Sequence, residues 1–151
     1  SLRSQRRGRE FKSRYVHQNR LFCPIRQFQD VMGSRGFMEE FMISMDDAPG
    51  ALASVTGAIA EAGANILAVS AIARQCATAC IITDDADATR AALDGLGADY
   101  STRQVHKASL PHEAGSLAAF TGSVAAEGTN IRSLQILGVD GGNAVVGYTT
   151  D

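Results

Sequence analysis

The 151-residue sequence has no tryptophan, three prolines (Pro24, Pro49, Pro111) and three cysteines (Cys23, Cys76, Cys80). With only 6% aromatic residues against 45% apolar residues, any interior must be built from aliphatic side chains, enough for one or two modest cores. Cys76 and Cys80 lie four apart along one extended segment, too far to bridge each other. An odd thiol count of this kind fits a reducing, cytoplasmic setting. These thiols and the scattered His17, His106 and His112 lack the clustering of a metal centre, so Cys76 and Cys80 are expected as small buried hydrophobes and no metal is expected. No apolar run approaches the ~20 residues needed to cross a bilayer, so a soluble chain with no membrane partner is expected. A phosphate loop, a nucleophile elbow and paired metal ligands are also missing. A non-enzymatic protein without a cofactor is therefore expected.

Charge is plentiful but uneven. Residues 1–35 hold nine Lys/Arg and two acids, whereas residues 36–151 hold five Lys/Arg and fourteen acids. A +7 head thus precedes a −9 body. Arg3, Arg6, Arg7, Arg9, Lys12 and Arg14 could form a nucleic-acid arm. The lack of pattern instead favours a disordered or non-native extension over residues 1–37, so nucleic acid is not the expected partner. Glu10-Phe11-Lys12-Ser13 back-translates readily to GAGTTCAAGTCC, which resembles the T-arm of a transfer RNA gene. A start codon assigned too early would produce such a head, with Met32 or Met38 as the expected start.

The body states one pattern twice. Asp47-Ala48-Pro49-Gly50-Ala51-Leu52 through Gly63-Ala64-Asn65-Ile66 recurs 65 positions later as His112-Glu113-Ala114-Gly115-Ser116-Leu117 through Gly128-Thr129-Asn130-Ile131. Without a gap, the copies agree at Gly50, Leu52, Ala53, Gly57, Ala60, Gly63, Asn65 and Ile66. In the first copy Phe41, Ile43 and Met45 alternate with polar residues, the period of a half-buried strand over 39–45. Asp47 is placed to cap a helix whose first turn takes Pro49, with Leu52, Val55 and Ile59 on its inner face and Gly63 at its end. Residues 65–72 and 76–83 are expected as a hairpin turning near Arg74 and Gln75, followed by a helix over 87–93 ended by Gly95 and a strand over 100–105. The second copy predicts a strand over 104–110, a helix with Leu117, Phe120 and Val124 on one face, and strands over 130–137 and 143–150 joined at Gly141-Gly142. The expected fold is α+β: two tandem ferredoxin-like βαββαβ units over 38–103 and 104–151, each an antiparallel sheet with helices on one face. The second unit stops after its third strand, so roughly 15–30 further residues, a short helix and a strand, are expected in the natural gene.

The Asp-x-Pro-Gly-x-Leu loop, the Gly-x-Asn-Ile turn and the element order resemble the ACT domain, a small-molecule-sensing module of amino-acid metabolism. The resemblance runs from about Met38 to Asp151, and the chain looks most like small bacterial proteins made of two tandem ACT domains without an attached enzyme. It implies a free amino acid as ligand, allosteric regulation, a homodimer or higher oligomer, and a regulated enzyme as partner. Asp47, Ala48, Pro49, Gly50, Ala51 and Leu52 are the first candidate ligand-binding residues, because a helix N-terminus with small residues lets a carboxylate approach unpaired N–H groups. The resemblance adds Asn65 and Ile66, with Asn65 often facing that loop; a plain tight turn, with Asn65 capping the helix exit, is the alternative. In the second copy the matching residues are His112, Glu113, Ala114, Gly115, Ser116, Leu117, Asn130 and Ile131. There His112 replaces Asp47 and Ala114 replaces Pro49. Glu113 could repel a carboxylate or receive an ammonium group, and His112 has no nucleophile beside it that would make it a catalytic base. The expected function is a non-catalytic amino-acid sensor. A regulatory fragment of a biosynthetic enzyme and a nucleic-acid-binding regulator are the alternatives.

Overall fold

The computed structural model describes residues 37–73 and 76–151. The expectations for the basic head and for a turn at Arg74 and Gln75 lie outside those residues. The chain runs β1 (Glu39–Met45), α1 (Ala51–Glu61), β2 (Ile66–Ala73), β3 (Ala77–Thr83), α2 (Ala86–Leu96), β4 (Asp99–Gln104), β5 (His106–Pro111), α3 (Ser116–Ala126), β6 (Ile131–Asp140) and β7 (Asn143–Thr150). Two antiparallel sheets form, ordered β2-β3-β1-β4 and β5-β7-β6. The second order reproduces the first three strands of the first. Only Val105 separates β4 from β5; it is buried and donates its N–H to the Met38 carbonyl at 2.8 Å.

Alternation along β1 fixes the first core. Phe41 and Ile43 point to the helices and are buried with Val55, Ile59, Ala64, Ala79, Ile81 and Leu93, and Met45 packs at the margin. At the rim, Arg90 of α2 pairs with Glu39 at 2.5 Å and lies 5.6 Å from the Phe41 ring centre. Attraction by Glu39 raises the pKa of the Arg90 guanidinium. The helix expected over 87–93 runs from Ala86 to Leu96. Asp85 caps it by accepting from the Ala88 N–H at 2.9 Å, and Gly97, not Gly95, ends it in the left-handed conformation at φ 63°. Gly95 lies inside because Ala98 closes the last turn by donating to Leu93 at 3.0 Å.

The opposite face of the first sheet meets the second. Glu40 is on that face and 1% exposed, and its carboxylate accepts from Ser133 Oγ at 2.6 Å and from Gln135 Nε2 at 2.7 Å. Ser133 also shares a 2.7 Å hydrogen bond with Thr149. A period-2 strand covered on one side would leave Glu40 in water; here the second sheet covers it. Gly147 on β7 has no room for a side chain, since a Cβ there would sit 3.0 Å from Val105 and 3.3 Å from Leu137. Burial, and then the Glu40 carboxylate, raise the pKa of the neighbouring Cys80 thiol. Cys80 is half-buried, but Cys76 is exposed and precedes β3. Expecting Cys76 as a buried strand residue was wrong, because β3 begins only at Ala77 and leaves Cys76 outside the sheet.

Candidate functional site

Both helix entries use the same turn. Ala51 donates its N–H to Ala48 at 3.2 Å across Pro49-Gly50, and Ser116 donates to Glu113 at 3.3 Å across Ala114-Gly115. Gly50 has φ 92° and ψ −12°, and Gly115 has φ 95° and ψ −17°, the values of the third residue of a type II turn. These glycines are the N-caps, so Asp47 does not cap α1 and Pro49 lies before the helix rather than in its first turn. The left-handed turn delays the helix until Ala51. In each helix the first i→i−4 bond is made by Ser54 to Gly50 and by Ala119 to Gly115, both at 2.9 Å. Neither helix has a side-chain cap. The N–H groups of Leu52 and Ala53, and of Leu117 and Ala118, therefore precede the helical ladder and face outward. Residues 46–50 and 111–115 are exposed, as an anion cradle requires.

Leu52 and Leu117 were expected on the inner helix faces, yet they are 36% and 46% exposed. They occupy the first turn of each helix, while Val55, Ile59 and Val124 do the inward packing. Further along, Thr56 and Thr121 are another matched pair, each donating to the carbonyl four residues back at 3.0 Å. Gly63 and Gly128 then close the helices at φ 84° and 75°, with Ala64 donating to Ile59 at 3.2 Å and Thr129 to Val124 at 3.3 Å. Asn65 takes no part in that closure. Its backbone N–H donates to Asp84 Oδ1 at 2.8 Å, and its carbonyl accepts from the Asp84 N–H at 3.1 Å. Asp84 is thus the partner of Asn65 that sequence reasoning passed over, although its place directly after β3 was the available signal.

The register separates the two halves of the candidate site within one repeat. Met45, which leads into the Asp46–Gly50 loop, pairs with Ala77 and through it with Ala73 at the end of β2. Ile66, at the start of β2, is level with Thr83 and the start of β1. The 11-residue helix α1 lies between them, a span of about 16 Å at 1.5 Å per residue. Asn65 and Ile66 therefore sit at the far end of their own repeat from Asp47 to Leu52, and Asn130 and Ile131 sit likewise relative to His112 to Leu117. His112 is instead held against the Gly141-Gly142 turn, donating its N–H to the Gly142 carbonyl at 2.9 Å. The described residues contain no group of three or more His, Cys, Asp or Glu that could hold a metal. No described helix is long and apolar enough to cross a membrane.

Beside α3 a cleft of about 410 Å³ is lined by Leu117, Thr121, Thr129, Asn130, Ile131 and Leu134, among others. It brings three of the second copy's candidates to one surface, without the loop residues His112 to Gly115.

Comparison with known proteins places this geometry. Residues 41–93 match the ACT domain family. No curated protein matches the chain. Among solved structures, protein BT0572 from Bacteroides thetaiotaomicron aligns with a TM-score of 0.67 at 22% identity, covering 76% of this chain and 80% of that one. The ligand-free regulatory subunit of aspartate kinase from Thermus thermophilus aligns at 0.60 with 20% identity, covering 75% and 83%. The corresponding subunit from Thermus flavus aligns at 0.56 with 20% identity over the same shares, 75% and 83%. At these identities the likeness is one of fold. The match to the ACT domain family is carried by residues 41–93, the first of the two copies.

Proposed function

We propose that the protein is a non-catalytic regulator that binds a free amino acid at the uncapped head of α1, in a site completed by a second copy of the chain. The observation that carries this reading is the pair of matched turns, Gly50 and Gly115, each presenting two unladdered N–H groups without a side-chain cap. Such a helix end stabilises a carboxylate through its N–H groups and partial positive charge. The family match over the first copy supports a small-molecule-binding regulatory role, and the fold shared with aspartate kinase regulatory subunits supports action on a partner enzyme.

The distance between loop and Asn65 supports the second copy. β2 is an edge strand, and its eight residues contain no charge and no proline, the usual devices that keep an edge unpaired. Leu67, Val69 and Ile72 on it are 37%, 49% and 64% exposed. Because β1 and β2 run in the same direction, antiparallel pairing of β2 with the β2 of another copy would bring the partner's strand start, with its Asn and Ile, level with the Asp47–Leu52 loop. The two halves of the motif then meet across a two-fold interface.

The test is a thermal-shift and calorimetric screen of the full chain with the twenty amino acids. A ligand at a hundredfold excess over its Kd adds about 2.7 kcal/mol. Ala53→Asp places a carboxylate on exposed helix positions beside the free N–H groups, where it favours the helix, so it should keep the fold and abolish the response. A flat screen, or a response unchanged in Ala53→Asp, refutes the site.

A further inference from the structure

At the strand ends away from both turns, Arg103, Gln104, His106, Arg132, Thr150 and Asp151 line a cleft of about 400 Å³. We infer that this cleft is a second binding site, for a small phosphate-class oxyanion, formed jointly by the two repeats. It shares no residue with the helix-entry loops, so it stands or falls apart from the amino-acid reading.

Charge placement is the first support. The acidic body has five Lys/Arg, Arg74, Arg90, Arg103, Lys107 and Arg132, and two of them converge here with one of its two histidines. Arg90 is taken by Glu39. Arg103 is cross-strand from Glu40, but that carboxylate is already held by Ser133 and Gln135, and no salt bridge to Arg103 forms among the described residues. Among the described residues, the only acid lining the cleft is Asp151, which pairs with Arg132.

Backbone geometry is the second support. In β6 the register steps from Ile131↔Thr150 to Ser133↔Thr149, leaving Arg132 as the extra residue of a bulge. A bulge re-aims its side chain, and bulges concentrate beside functional sites. The first repeat has the same bulge between Ile66 and Ala68, where the extra residue is Leu67. The same device that exposes an apolar side chain in one repeat turns a guanidinium into the cleft in the other. Arg103 comes from β4 of the first repeat and Arg132 from β6 of the second, so the pair exists only while the repeats are packed. Two guanidinium forks with the Thr150 hydroxyl, the Gln104 amide and the His106 ring supply the donors that a multiply charged oxyanion requires. The Asp151 carboxylate holds Arg132 until such an anion displaces it.

The test is calorimetric titration of the full chain with inorganic pyrophosphate, with malonate as a dicarboxylate comparison. Arg103→Gln and Arg132→Gln should each weaken pyrophosphate binding about tenfold or more, as loss of one charge-assisted pair does. Lys107→Gln removes the same charge from the next residue of β5 without touching the cleft lining, and it should leave affinity within about twofold, the screened effect of a remote surface charge. Asp151→Asn should tighten binding. Tighter binding of malonate than of pyrophosphate overturns the phosphate assignment. Equal losses in all three charge variants, or wild-type affinity in both arginine variants, overturns the site, because the anion would then be held by diffuse charge or elsewhere. Melting curves of each variant show that it is folded, and Arg103→Lys, which keeps the charge but not the fork, should retain only part of the affinity.

Discussion

The two repeats share a turn, a helix end and a strand order, yet they are unequal in what they bury. The first closes four strands under two helices around Phe41, Ile43, Ile59, Ile81 and Leu93, all fully buried. The second has three strands and one helix, and its buried apolar residues, Leu110, Val124, Ala144 and Val146, are smaller and leave Leu117, Ile136 and Val139 about half exposed. Equal motifs therefore do not carry equal stability. The first repeat has a core of its own, while the second depends on docking its sheet against Glu40 and its neighbours.

The sharpest way to break this comparison is at Ile59 and Val124, matched positions whose carbonyls close the two helices. Ile59→Ala should cost about 2–5 kcal/mol, the range for emptying an aliphatic site in a closed core. Val124→Ala removes two carbons and should cost about 1.5 kcal/mol. Urea unfolding of the two variants measures the difference, and equal losses would show that the second core is as tight as the first. The next largest effect is expected at Glu40. Glu40→Ala leaves Ser133 and Gln135 without their acceptor inside the sheet interface and should cost about 1–3 kcal/mol. Combined with Gln135→Ala, the losses should be strongly non-additive in a double-mutant cycle. Additive losses would mean that the two sheets are not held together at this point.

Much of the first repeat was legible in the sequence. The alternation of Phe41, Ile43 and Met45 identified β1 and its buried face, and Gly63 and Gly128 marked helix ends because their positive φ values, 84° and 75°, suit glycine. Glu40 was not legible, since periodicity reports one covered face and the second cover comes from residues more than ninety positions away. The candidate site was half legible. Spacing identified the two loops, but it placed the cap at Asp47, whereas a left-handed Gly50 starts the helix later. That Asn65 lies a helix length from the loop follows from α1 alone. Arg132 escaped notice because a bulge, which decides where its side chain goes, leaves no periodic signature.

A smaller effect tests the matched turns themselves. Gly50→Ala and Gly115→Ala meet no atom within 4 Å of the added Cβ, so their cost is the left-handed backbone alone, about 1–2 kcal/mol each. Similar losses at both sites, followed by thermal unfolding, would show that the two turns are energetically alike despite their different neighbours. A large loss at Gly50 only would mean that the second turn relaxes where the first cannot.

The smallest expected effect separates proline from glycine as the cause of the turn. Pro49 in the first copy and Ala114 in the second occupy the second position of the same type II turn, where φ near −65° is required and where proline is pre-set. Both turns form, so the glycine is the determinant and the proline only narrows the unfolded ensemble. Ala114 makes no recorded backbone hydrogen bond through its N–H, and the position is exposed, so proline costs no donor there. Ala114→Pro should therefore stabilise the protein by about 0.4–1 kcal/mol, and Pro49→Ala should destabilise it by a similar amount. The double exchange, carrying both changes, should return close to the wild-type midpoint, since the two loops belong to different repeats and each effect arises in the unfolded chain. If Ala114→Pro instead destabilises, the second turn differs from the first in its flanking backbone. The equivalence of the two helix entries, on which a second ligand site would depend, then fails.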